Sequence, residues 1–168
     1  LFAEAFKALP DGLFQVVTGE AAAGKSLVEH KDTHMVAFTG SVPVGVSIAS
    51  KCGELMKRSL IENSGNEPFI VMPSDPMDIT ARAAACSAYM NCGQICVSAE
   101  RFFVHEKIHD EFVEKLIEET KKIRVGNGLD KVDMGPIVSS KERDRYENVL
   151  HKALDEGAKA VEGGGRLS

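Results

Sequence analysis

The segment Asn91-Cys92-Gly93-Gln94-Ile95-Cys96 is where covalent chemistry could start in this chain of 168 residues. Gly93 ends the alanine-rich helix before it and lets the backbone turn sharply. A thiol on such a turn stands partly exposed, where its thiolate can attack an electrophile. The ordinary alternative for a free cysteine is burial as a small hydrophobe, and Cys52 and Cys86, inside helical patterns, suit that description. Glu62 lies in Leu60-Ile61-Glu62-Asn63-Ser64-Gly65, directly after an apolar run. A carboxylate at a strand end, poorly screened by solvent, has a raised pKa and serves as a general base. The bland reading is a solvated glutamate at a loop entrance, and the residues alone favour it.

Two further segments could hold phosphate. Gly19-Glu20-Ala21-Ala22-Ala23-Gly24-Lys25-Ser26 matches the nucleotide-binding pattern G-x-x-x-x-G-K-[ST], after an expected strand and before an expected helix. In that reading backbone N–H groups cradle phosphates, Lys25 reaches the outer ones and Ser26 binds magnesium. The usual companion, an Asp at the end of a later apolar strand, is missing: Val36-Ala37-Phe38 runs into Thr39-Gly40, and the run 69–72 into Pro73. The plainer reading is a strand-to-helix turn whose glycines allow tight packing. The second segment, Phe38-Thr39-Gly40-Ser41-Val42-Pro43-Val44-Gly45, also joins a strand to a helix. A serine there binds phosphate through its hydroxyl and N–H or merely caps the helix.

The elements that must position these residues alternate. Periodicity and turn formers predict helices over 1–9, 22–29, 44–52, 76–90, 107–122 and 141–156, with Asp75 capping the fourth. Strands are expected at 14–18, 34–38, 59–61, 69–72, 101–105 and 158–161. This alternation argues an α/β fold with mainly parallel pairing, and the polar run 63–68 is the expected domain seam. The chain is 43% hydrophobic and 27% charged with a net charge of −5, which disfavours disorder and a nucleic-acid surface. No apolar stretch reaches membrane-span length. Four cysteines without zinc-like spacing argue against a structural metal and a secreted disulfide scaffold, so a cytoplasmic location is expected. The chain opens on Leu1 without a signal peptide and stops abruptly, which reads as a trimmed chain or a piece of a longer protein.

Taken together, these segments resemble the NAD(P)-dependent aldehyde dehydrogenase superfamily, collinearly over nearly all 168 residues. The resemblance is carried by Leu9-Pro10-Asp11-Gly12 and Gly19, by Phe38-Thr39-Gly40-Ser41 and Gly45, and by Glu62, Gly65 and Pro68. It continues through Asn91-x-Gly93-Gln94-x-Cys96, Arg101, Val125-Gly126, Asp133-Met134-Gly135-Pro136, Glu156-Gly157-Ala158-Lys159 and Gly163-Gly164. It implies Cys96 as the nucleophile that forms a thiohemiacetal and then a thioester, and Glu62, 34 residues earlier, as the base that activates the hydrolytic water. It also implies the Cys96 N–H as part of the oxyanion hole, Ser41 on the cofactor pyrophosphate, Gly40 and Gly45 shaping that turn, and Gly19 and Gly24 in the preceding cofactor turn. The nucleotide-loop match is then coincidental.

By this resemblance residues 1–63 are the C-terminal part of a Rossmann-like NAD(P)-binding domain with a parallel open sheet. Residues 64–168 are then the N-terminal part of an α/β catalytic domain. The implied partners are NAD or NADP and a small aldehyde, with no nucleic acid and no membrane, in a parent that forms homodimers or homotetramers. The sequence departs from the family where Glu-Leu-Gly-Gly becomes Glu62-Asn63-Ser64-Gly65, and where the turn at Gly19 lacks a second glycine. The family's ribose-binding residues and its oxyanion Asn have no counterpart here, so an inactive fragment is the expectation for the isolated chain. A phosphate-binding module built on the Gly19–Ser26 turn is the alternative.

Overall fold

The computed structural model describes residues 1–166. It divides into two compact units, Leu1–Ser64 and the remainder from Gly65 onward. In the first, a short helix α1 (Phe2–Ala5) and a helix α2 (Ala21–Glu29) precede strand β1 (Met35–Gly40), helix α3 (Val42–Glu54) and strand β2 (Arg58–Asn63). β1 and β2 pair in parallel, in register from Met35↔Arg58 to Gly40↔Asn63, with α3 as the crossover that a parallel pair requires. The approach of α3 to β2 depends on Gly45: a Cβ there would lie 2.9 Å from Ile61 Cγ2 and press into Asn63. Cys52, on α3, is fully buried. Lys57 Nζ donates to the carbonyls of Val28 (2.6 Å) and His30 (2.7 Å), satisfying acceptors left open at the end of α2.

The second unit holds β3 (Glu67–Val71), α4 (Met77–Tyr89), β4 (Ala99–Val104), α5 (His109–Lys121) and α6 (Ser140–Asp155). β3 and β4 are again parallel, with a register shift between Glu67 and Pro68, where proline has no N–H for the ladder. Val71, Ala84 and Phe112 form the core, joined by Phe69, Phe102 and Leu116. Phe102 lies between Phe69 (5.4 Å) and Phe112 (6.2 Å). Ala81, Ala84 and Ala85 give α4 a flat buried face. The Ser139 hydroxyl accepts from Glu142 N–H and caps α6.

The fold is α/β with parallel pairing throughout. Several local expectations fail for physical reasons. The helix at 1–9 shrinks to Phe2–Ala5, and the strand at 14–18 is irregular chain with Val16 and Val17 largely exposed. The strand at 158–161 is also irregular. An apolar run becomes a strand only beside a partner edge, and among the described residues neither run has one. Asp75 does not cap α4: its carboxylate accepts from Met72 N–H (2.8 Å), and Pro76 takes the cap position. Cys86, expected inside, is exposed on α4, whereas Cys52 is buried as expected.

Candidate active site

At the C-terminal ends of β1 and β2 the first unit gathers Gly40, Ser41 and Glu62. Thr39 stands opposite Glu62 in register, Gly40 opposite Asn63, and Ser64 N–H donates to Gly40 O (2.9 Å). This is the edge of an open parallel sheet at which ligands bind. Ser41 is the N-cap residue of the 13-residue α3, yet its hydroxyl makes no cap hydrogen bond. A capping serine bonds the N–H of the second or third helical residue, and the second here is Pro43, which has none. The hydroxyl and the open N–H groups of the first turn therefore stay uncommitted, an arrangement suited to a phosphate oxygen. Glu62 is exposed rather than poorly solvated.

Gly19 and Gly24 belong to the approach to α2 and to α2 itself. Gly19 precedes α2 and backs onto Ala23, where a Cβ would sit 2.7 Å from the Ala23 Cβ. Gly24 is inside α2 and lines a groove of about 990 Å³ between α2, β1 and α3, with Leu27, Phe38, Val44 and Ile48 on its walls. The nucleotide-loop reading of Gly19–Ser26 fails here. α2 begins at Ala21, so Gly24, Lys25 and Ser26 are helical, and their N–H groups point along the helix instead of cradling phosphates. Lys25 pairs with Glu29 one turn on (3.9 Å).

In the second unit the Cys96 loop follows α4. Not one glycine but three successive residues turn it, all in the left-handed region: Asn91 (φ 51°), Cys92 (φ 60°) and Gly93 (φ 71°). A non-glycine residue there costs on the order of 1 kcal/mol, so the turn needs support. Gln94 supplies part of it: its N–H and Nε2 both donate to Asn91 O, and Asn91 Nδ2 donates to Gln94 O (3.2 Å). The Cys92 thiol donates to Gly135 O (2.9 Å), and Val138 N–H donates to Gln94 Oε1 (3.0 Å). Burial pushes the Cys92 thiol up from its ordinary value. On the other side Gly65 passes the loop so closely that a Cβ would collide with the Cys96 carbonyl. Cys96 itself is exposed.

The segment that receives these contacts is pinned in turn. Arg124 donates to Asp133 through its N–H (2.9 Å), Nε (2.8 Å) and Nη2 (3.0 Å). The Arg124 side chain and backbone N–H together hold the Asp133 carboxyl well below the usual carboxylate range. Gly126 N–H donates to Met134 O beside a Val125↔Met134 bridge. The motif Asp133-Met134-Gly135-Pro136 is visible in the sequence, but its contact with a loop some forty residues earlier is not. Gly65, Cys92 and Gln94 as supports of Cys96 escape sequence reasoning for the same reason. Among the described residues no group of three or more His, Cys, Asp or Glu side chains gathers that could hold a metal ion. No helix among them is long and apolar enough to cross a membrane.

The first unit thus presents a parallel strand pair with an uncommitted helix-capping serine at its edge, and the second an exposed cysteine on a braced turn. The particular family follows from comparison: the aldehyde dehydrogenase family matches residues 1–168, and the chain belongs to it. It is similar to the 3,6-anhydro-alpha-L-galactose dehydrogenase of Vibrio sp. (strain EJY3), 41% identical over 162 residues, covering 95% of this chain and 34% of that protein. A crystal structure of 3,6-anhydro-L-galactose dehydrogenase in complex with NAP superposes with a TM-score of 0.92 at 37% identity, covering 99% of this chain and 35% of that one. Betaine aldehyde dehydrogenase from Staphylococcus aureus in complex with NAD+ gives 0.83 at 31% identity, covering 86% and 29%. The chain thus spans about a third of the length of these relatives.

Proposed function

We propose that this chain is the part of an NAD(P)-dependent aldehyde dehydrogenase that carries the nucleophile, the general base and the pyrophosphate side of the cofactor site. The observation that supports this best is Cys96, an exposed thiol on a turn held by contacts from two other segments, 135–138 and Gly65. Residues 1–63 are the end of the cofactor domain and residues 64–168 the start of the catalytic domain. The cofactor is NAD or NADP, in keeping with the complexes of the two structural relatives. Its pyrophosphate meets Ser41 Oγ and the first turn of α3, with Gly40 and Gly45 letting the backbone come close. The groove beside Gly24 takes the adenine end, and Gly19 shapes the entry to α2.

The Cys96 thiolate attacks the aldehyde carbon and forms a C–S bond, and the carbonyl oxygen becomes an oxyanion held by the Cys96 N–H. When bound, the nicotinamide supplies the acceptor for the hydride that leaves this carbon. The resulting thioester is hydrolysed by water from which Glu62 removes a proton, releasing the carboxylic acid and the Cys96 thiol. Four unpaired cysteines accord with a reducing compartment, the cytoplasm. The partners are a small aldehyde and, for the complete enzyme, further copies of itself.

Cys96→Ala in the enzyme that carries this sequence tests the reading. Aldehyde-dependent NAD(P)H formation is expected to fall to background while the dissociation constant of the dinucleotide stays within about twofold, since a residue making only transition-state contacts changes turnover and not cofactor affinity. Retained turnover removes Cys96 from the mechanism.

A further inference from the structure

We propose that Cys92 and Gln94 are positioning residues: two struts that tie the Cys96 loop to the segment 135–138 and so fix where the nucleophile stands. The inference rests on the reading of Cys96 as the reacting thiol. Among the described residues no hydrogen bond reaches the Cys96 side chain, so its position is set by the backbone that carries it. That backbone turns through the three left-handed residues Asn91, Cys92 and Gly93, a shape that persists only where its surroundings over-determine it. The Asn91–Gln94 bonds are internal to the turn and move with it. The bonds that leave the turn are Cys92 Sγ to Gly135 O and Val138 N–H to Gln94 Oε1. Both end on the stretch that follows the Arg124–Asp133 pair and the Val125↔Met134 bridge. Gly65 closes the opposite side by backbone approach alone.

The two thiols of the loop thereby have opposite tasks. A strut at Cys92 needs the proton, because a thiolate would face the Gly135 carbonyl as an anion with nothing to donate; its burial keeps it protonated. Cys96 is exposed and carries no such bond. A serine at position 92 keeps an O–H donor of similar size, whereas alanine removes it. A leucine at position 94 removes the acceptor for Val138 and the Nε2 donor to Asn91 without opening a void.

The test is made on the enzyme that carries this sequence, with Cys92→Ala, Cys92→Ser and Gln94→Leu. Cys92→Ala is expected to lower kcat roughly five- to tenfold, the worth of one hydrogen bond, and Gln94→Leu, which loses two, at least as much, with dinucleotide affinity unchanged. Cys92→Ser is expected to stay within about twofold of the parent. Folding is monitored by iodoacetamide peptide mapping, in which the buried Cys52 stays unlabelled and the exposed Cys86 serves as the reference for Cys96. If Cys92→Ala fails to fold, Cys92→Ser and Gln94→Leu decide. Parent-like kcat in the folded Cys92→Ala and Gln94→Leu variants overturns the inference, and so does a Cys92→Ser enzyme as impaired as the alanine variant. The Cys96→Ala enzyme, assayed alongside, separates the two failures: turnover there undoes the catalytic reading and this inference with it, whereas parent-like kcat in the strut variants beside an inactive Cys96→Ala enzyme overturns this inference alone.

Discussion

Cys92 and Cys96 stand four residues apart in one loop, yet one is half-buried against a distant carbonyl and the other is open to solvent. That difference is invisible in the spelling of the loop, where both are cysteines beside glycine. What the sequence does show is the special turn, through Gly93, and the family resemblance that singles out Cys96. Glu62 is a comparable case: its place at a strand end is legible from Leu60-Ile61, but its pairing level, opposite Thr39 and beside Gly40, needs the sheet. That level puts its carboxylate at the edge where Ser41 leaves its hydroxyl free, which suits a base acting near a bound cofactor. Glu62→Gln keeps the size and loses the proton acceptor. Stopped-flow absorbance is expected to show an undiminished first turnover of NAD(P)H followed by a steady rate lower by roughly 10²- to 10⁴-fold, the usual worth of general-base catalysis. A steady rate equal to the parent's would assign the base elsewhere.

Elements were readable where their periodicity is long or their ends are marked. α2, α3, α5 and α6 lie within a few residues of expectation, and so do β1 to β4, because apolar runs bounded by Gly, Pro and polar turns specify them locally. The runs 14–18 and 158–161 are as apolar as some true strands but have no neighbour to pair with among the described residues, and pairing is a property of the sheet rather than of the run. The bracing segment 124–138 was likewise beyond reach, since its order comes from the Arg124–Asp133 fork and not from a regular element. This fork has a pH signature. The Asp133 carboxyl is held below the usual carboxylate range, so its ionised form binds Arg124 better folded than unfolded. That stabilisation is complete above the unfolded value of about 4 and is lost as pH falls further. Asp133→Asn is therefore expected to lower the thermal midpoint at pH 7, with the gap to the parent closing as the pH drops below about 4. A gap that persists unchanged at pH 3 would show that the ionised pair is not its cause.

At the scale of the whole molecule the surface is too large for its chain. The accessible area is 13062 Å², against about 9,700 Å² for two folded units of these sizes even when each is counted alone. The excess is apolar in large part: Val44 and Val46 on α3, Leu60 on β2, Ile70 on β3 and Phe103 on β4 are all exposed. Each unit carries a sheet of only two strands with free edges among the described residues, a state in which strands recruit other chains. Turnover also demands that nucleophile, cofactor and oxyanion donors be fixed relative to one another. On the proposed reading these residues supply Cys96, Glu62 and the Ser41 side of the cofactor site, while the ribose-binding residues and oxyanion Asn that the resemblance implies have no counterpart among them. A polypeptide of these 168 residues alone is therefore expected to sediment as associated species and to form no NAD(P)H from any aldehyde. Adding the other two thirds of a homologous enzyme as a separate polypeptide is expected to shift the sedimentation profile to a defined complex, since apolar faces and free strand edges of this kind recruit a complementary chain. Monodisperse sedimentation as a monomer, or steady aldehyde-dependent turnover by material whose intact mass matches these residues only, would mean that the exposed faces are compatible with an autonomous enzyme and that the parallel strand pairs suffice to hold the site.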